Sequence, residues 1–249
     1  MRWLFINISL LLIFMLSPGC ATQSENELTD HVIEITSLMD SSKFTQAISL
    51  IDSLDNKPPI ILNLKVDALS GRAGLRFSKI QEIINLNSES IYNRIYKLSE
   101  SSSDSQIHDI ENAISLVEEE HLIDNHSESW KMYFKFAVIN LYRVSLYLRK
   151  YLKEDSPDFD FCSEQSLPSS ALIAIIHGIN KSLVALSNSI ENGNLDKVAS
   201  DFKEELELFN LIFIDNSATQ ILSKLSESDL IKFRNLIGQN MLTREFICY

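Results

Sequence analysis

The reactive side chains of this sequence fall into three groups: three cysteines, a histidine–acid cluster and one pair of arginines. Cys20 ends an apolar run, Cys162 lies in the loop-like DSPDFDFCSEQS, and Cys248 is the penultimate residue. His121 and His126 stand beside Glu118, Glu119, Glu120 and Asp124, a composition that suggests metal. Five places put two side chains on different faces of a helix, so the group reads as a polar helix end and no metal is expected. His177 sits inside an apolar stretch and reads as a core histidine. Arg72 and Arg76, in SGRAGLRFSK, stand out because basic residues number 22 against 34 acids. A guanidinium suits an anion or carboxylate, which a partner, a ligand or the chain itself could supply. Phe159 and Phe161, aromatic and flanked by acids in the DFDF segment, are expected to be exposed and to contact a partner. The sequence contains no Gly-rich phosphate loop, His-Glu-x-x-His, Cys-x-x-Cys or nucleophile elbow. No catalytic residue and no cofactor are expected, and the chain is not read as an enzyme.

The N-terminus, MRWLFINISLLLIFMLSPGC, has one positive charge at Arg2 and then an apolar run from Trp3 to Leu16. That run makes about 21 Å of helix, short of a bilayer core of about 30 Å. A basic start, an apolar middle and small residues before a cut are the layout of a secretory signal. The segment resembles the signal peptide of bacterial lipoproteins, whose lipobox ends in Gly or Ala followed by Cys. Gly19 and Cys20 match it, while Ser17 and Pro18 depart from it. The resemblance implies removal of residues 1–19, a lipid on the Cys20 sulfur and acylation of its new amine. Two or three acyl chains give an anchoring that one chain does not. In a Gram-negative source, Ala21 in place of Asp after the cysteine implies the outer membrane, with the body facing the periplasm or the cell surface. With Cys20 lipidated, Cys162 and Cys248 remain as an even pair in an exported chain. A disulfide would close a loop of 86 residues, worth about 4 kcal/mol by chain entropy; two free thiols are the alternative.

The net charge of −12 falls to −13 once residues 1–19 are removed, because they hold one Arg and no acid. Such a body is a poor partner for nucleic acid. With 45% hydrophobic residues the chain can bury a large core, and one domain over 27–249 is expected. Only 6 Gly and 5 Pro argue against a strand-rich fold, and the reading is all-α.

The elements follow from apolar spacing. Residues 20–26 read as a lipidated N-terminus and polar spacer. Helices are expected at 28–39 and 43–54, the second ended by Pro58 and Pro59. SSKFTQAISLIDSL, with Phe44, Ala47, Ile48, Ile51 and the proline beyond, resembles a tetratricopeptide-type helical hairpin. That resemblance makes Ala68 and Gly71 the small contact positions of the next helix, ended near Gly74. The period then fades, so an array of antiparallel helical hairpins, partly tetratricopeptide-like, is expected. One or two helices are read over 79–98, a linker at 99–105 and a helix at 106–122. A central helix at 127–153 is apolar nearly all round, and its charges argue against a membrane span. Buried helix 169–190 follows, then helices near 195–214, 217–225 and 227–238. The aromatics of the central helix, Trp130, Tyr133, Phe134, Tyr142, Tyr147 and Tyr151, read as core packing more readily than as a cavity lining.

The functional expectation is a lipid-anchored helical module that binds an envelope protein or acts as a scaffold. The alternative is a carrier of a small apolar ligand, similar to the helical lipoproteins associated with TRAP-type transporters.

Overall fold

The structure is a computed structural model that describes residues 20–76, 91–123, 129–151 and 167–192, with isolated positions at 226, 228, 231, 234 and 235. Helix α1 spans Cys20–Asp40 and ends at a tight turn in which Ser42 takes a left-handed φ of 57°. Helix α2 covers Phe44–Ser53. The chain then runs extended through Leu54 and Pro58 into α3, Pro59–Arg72, which starts on a proline because the first turn needs no amide donor. Gly74, at φ 98°, stops α3. Helix α4 is the short Ile91–Tyr96. The Ser103 hydroxyl accepts a hydrogen bond from the Gln106 amide and caps α5, Asp104–Glu119, with Asp104 in its first turn. Helices α6, Ser129–Tyr151, and α7, Ser169–Asn192, are the two longest. Among the described residues all regular structure is helical, as the sequence predicts.

Cross-helix contacts fix the directions. The Phe44 ring lies against Gly71, and Lys65 reaches Asp52 at 2.6 Å, so α2 and α3 are antiparallel. Gln106 donates to the Ala73 carbonyl at 2.8 Å beside Arg72–Asp109, so α3 and α5 are antiparallel. Arg143–Glu111 and Lys150–Asp104 set α5 against α6 the same way. The Ser182 and Ser189 hydroxyls donate to the carbonyls of Ala137 and Trp130, which reverses α7 on α6. Lys135 bonds Asn63 and Asp67 while Tyr142 donates to Ala73, so α3 and α6 run in parallel. Helix α1 turns back on α2 and packs on α2 and α3. The result is a stack of hairpins with α1, α3 and α6 in one direction and α2, α5 and α7 in the other.

The small residues Ala68 and Gly71, which the helical-hairpin resemblance makes contact positions, lie at close approaches. Ala68 is fully buried, and a Cβ on Gly71 would stand 2.4 Å from the Phe44 ring. On α6, Met132, Phe136, Val138, Ile139, Leu141, Tyr142, Leu146 and Leu148 are buried, the all-round burial expected of a central helix. Helix α7 is long and apolar enough to cross a membrane, but 61% of its apolar window is buried and it packs along α6. It behaves as the second core helix.

Three boundaries differ from the sequence reading. Helix α1 begins at Cys20 rather than Leu28 and so takes in residues 20–26, which had been read as a spacer. Extending an established helix costs little even where no apolar face continues. The serine-rich 99–105 segment is fastened rather than loose: Ser99 is buried, its amide donates to the Ser145 hydroxyl at 2.9 Å, and the two hydroxyls meet at 2.7 Å. The Ser103 cap starts α5 two residues earlier than the apolar spacing does. Residues 1–19, 77–90, Asp124, His126, Phe159, Phe161, Cys162 and Cys248 lie outside the described residues, as do nearly all of 193–249.

At Gly178, α6 and α7 make a close approach: a Cβ there would meet Val144 Cγ2 at 2.6 Å and the Asn140 carbonyl at 3.2 Å. Gly178→Ala should therefore cost about 1–3 kcal/mol despite the better helix propensity of alanine. Thermal denaturation reads this as a fall of roughly 2–4 °C per kcal/mol. A variant as stable as the parent would contradict the packing described.

Candidate functional site

Helix α5 gathers most of the polar chemistry. Asp104, Glu111 and Glu118 recur every seven residues, which returns them to nearly the same face. Lys150 and Arg143, also seven apart on antiparallel α6, meet the first two, and Lys181 of α7 meets Glu118. The Tyr147 hydroxyl joins Arg143 on Glu111. On a neighbouring face, Asp109 is nearly buried, with 8% of its side chain exposed, and takes a two-point contact from Arg72 through Nε at 2.8 Å and Nη2 at 2.6 Å. The planar fork matches the carboxylate, and the pair holds α3 to α5. The carboxylate suggested for Arg72 is thus found within the chain.

Arg76 does not share this contact. Helix α3 ends at Arg72, Gly74 turns the backbone, and Arg76 is exposed beyond it. The two arginines therefore do not form a joint anion site.

A cleft of about 260 Å³ lies beside Arg72, lined also by Ser42, Lys43, Phe44, Thr45 and Gln46. It opens at the N-terminus of α2, where no side chain caps the first amides. The positive end of α2, two basic side chains and two hydroxyls favour a carboxylate or another anion there, although Asp109 already offsets the Arg72 charge. Lys43 and the first turn of α2 were not singled out by the sequence; the missing N-cap residue was the available signal.

Comparison with protein-family models, curated proteins and solved structures finds no match.

The aromatic group of α6 is distributed through the packing. Tyr142 is buried, and its hydroxyl donates to Ala73 at 3.0 Å; burial pushes that hydroxyl up to about 12, with Glu100 adding to the effect. Tyr147 and Tyr151 stack at 6.4 Å, and Tyr133 and Phe134 pack against the core. Arg149 lies over the Tyr96 ring at 3.6 Å and donates to the carbonyls of Tyr96 and Ser99, which ties α4 to α6. Among the described residues no group of three or more His, Cys, Asp and Glu converges on one point. His121 sits past the end of α5 with a left-handed φ of 48°.

His177 is half-buried on α7, one turn from Lys181. Burial pushes its ring down to about 4, helped by Lys181 and Arg143 and opposed by Glu118.

Two predictions follow from this geometry. Arg72→Ala strands the Asp109 carboxylate and should cost about 2 kcal/mol, discounted for the partial exposure of the arginine; Arg76→Ala should leave the melting temperature unchanged. Equal effects of the two would refute the assignment of Arg72. Between its unfolded value near 6.5 and about 4, His177 is protonated in the unfolded chain but not in the folded one. Stability should fall as pH drops through that window, by on the order of 1 kcal/mol after solvent screening, and His177→Gln should flatten this part of the profile. Urea titrations from pH 7 to 4 measure both.

Proposed function

We infer that this chain is a lipid-anchored helical module of the bacterial outer membrane that docks an envelope protein. The observation that carries the reading is the N-terminal pattern itself: Arg2, the apolar run to Leu16, and Gly19-Cys20. It is supported by a body with an apolar core of its own, which among the described residues runs from Ile35 through Leu186. The acidic surface suits a module that neither spans a bilayer nor binds nucleic acid. In this reading an acidic partner docks at the cleft of Lys43 and Arg72, which supports the choice because basic side chains are scarce in this chain.

Palmitate fed to cells should label the chain, and Cys20→Ser should abolish the label and release the protein from the membrane fraction. An unlabelled parent that keeps Met1 would sink the anchor. A photo-reactive side chain at Lys43 should crosslink to an envelope protein. A small apolar molecule retained in native mass spectrometry, with no protein crosslink, would instead support a carrier.

A further inference from the structure

The topology places the N-termini of α1, α3 and α6 at one edge of the stack. Helices α3 and α6 are level there: Lys135 meets Asn63 and Asp67, which sets Trp130 near the height of Ile60. Ile60 is 51% exposed at the second position of α3. Trp130 is half-buried at the second position of α6, with the exposed Lys131 ammonium 5.5 Å from its ring centre. Helix α1 runs the same way and ends at the turn into Phe44, which lies against Gly71; with 21 residues against 14 for α3, it starts roughly 10 Å farther out. Glu119 and Glu120 are exposed at the C-terminus of α5, at this same edge. The edge thus combines apolar and aromatic side chains with charges of both signs.

We propose that this edge, carrying Ile60, Trp130 and Lys131, is a bilayer-contact surface that rests on the interface of a zwitterionic membrane. The inference deepens the lipid-anchor reading and rests on it. An anchor on Cys20 brings the N-terminal edge within reach of the headgroups, and a tilt of the whole stack about that anchor closes the remaining distance. Tryptophan and lysine are side chains that sit well at such an interface, one through its amphipathic ring and the other through an apolar stem. The acids at the edge disfavour an anionic bilayer and leave a zwitterionic one as the fit. The opposite edge, at the C-termini of α3 and α6, then faces away from the membrane.

The chain has two tryptophans, Trp3 and Trp130, so removal of residues 1–19 leaves Trp130 as the sole reporter. The lipidated protein is reconstituted in phosphatidylcholine vesicles with and without bromine on the acyl chains. Trp130 emission should shift to the blue on reconstitution and lose intensity in the brominated vesicles. The same chain with Trp130→Tyr and Tyr151→Trp carries its reporter about 30 Å away along α6 and should be left unquenched. Protein that floats with the vesicles while Trp130 stays unquenched, or equal quenching at both positions, overturns the membrane-facing edge and spares the anchor. A chain that takes up no palmitate and does not float removes both. Stronger quenching in phosphatidylglycerol vesicles would overturn the zwitterionic assignment.

Discussion

The fold depends on one acidic helix being neutralised from several directions at once. Helix α5 carries Asp104, Asp109, Glu111 and Glu118, and its cations come from α3, α6 and α7. Lined up on one helix and left unpaired, these carboxylates would repel one another and weaken it. Paired, they make α5 the piece against which three other helices are registered. The exposed pairs contribute little energy each. Their effect is on position: a slip of one turn at Arg143–Glu111 would also misplace Lys150 and Tyr147. The nearly buried Asp109 is different, since it must have Arg72 to be tolerated at all.

Apolar packing supplies the stability that these pairs orient. Helices α6 and α7 approach closely because Gly178, Ala137 and Ser182 are small enough to let the backbones meet. Polar groups inside the stack are used as fasteners. Ser145 serves Ser99 and the Tyr96 carbonyl, and Tyr142 with Gln106 satisfies the Ala73 carbonyl at the end of α3. Each removes an orphan that a helix terminus would otherwise bury.

Much of this architecture was legible in the sequence, and the reasons are physical. Helical spacing of Ile and Leu, proline at the start of α3 and glycine at its end are local signals, and the elements they mark are present. Ala68 and Gly71 were readable because close helix approach admits few residue types. The acidic register of α5 was also there to be read: seven-residue spacing of Asp104, Glu111 and Glu118 faces seven-residue spacing of Arg143 and Lys150. It was missed because pairing of helices far apart in sequence cannot be inferred from either helix alone. The role of Arg72 shows the same limit. Its scarcity and chemistry were visible, but its carboxylate lies 37 residues away. The serine-rich 99–105 segment looked like a linker because composition alone does not reveal that Ser99 has a buried partner 46 residues on. The cleft at α2 depends on a cap that is missing, and single-sequence reading notices present residues more readily than absent ones.

The parallel pairing of α3 with α6 has a consequence for how the chain assembles. The other bonds between these helices span separations of 13 to 63 residues, whereas the Lys135 and Tyr142 bonds to α3 span 68 to 72. Wider loops cost somewhat more entropy to close, and α5, paired with both α3 and α6, holds those two helices side by side where these bonds form. Lys135 and Tyr142 are therefore the clasp of the molecule: they join two helices that are not neighbours in sequence and so hold the hairpins as one stack.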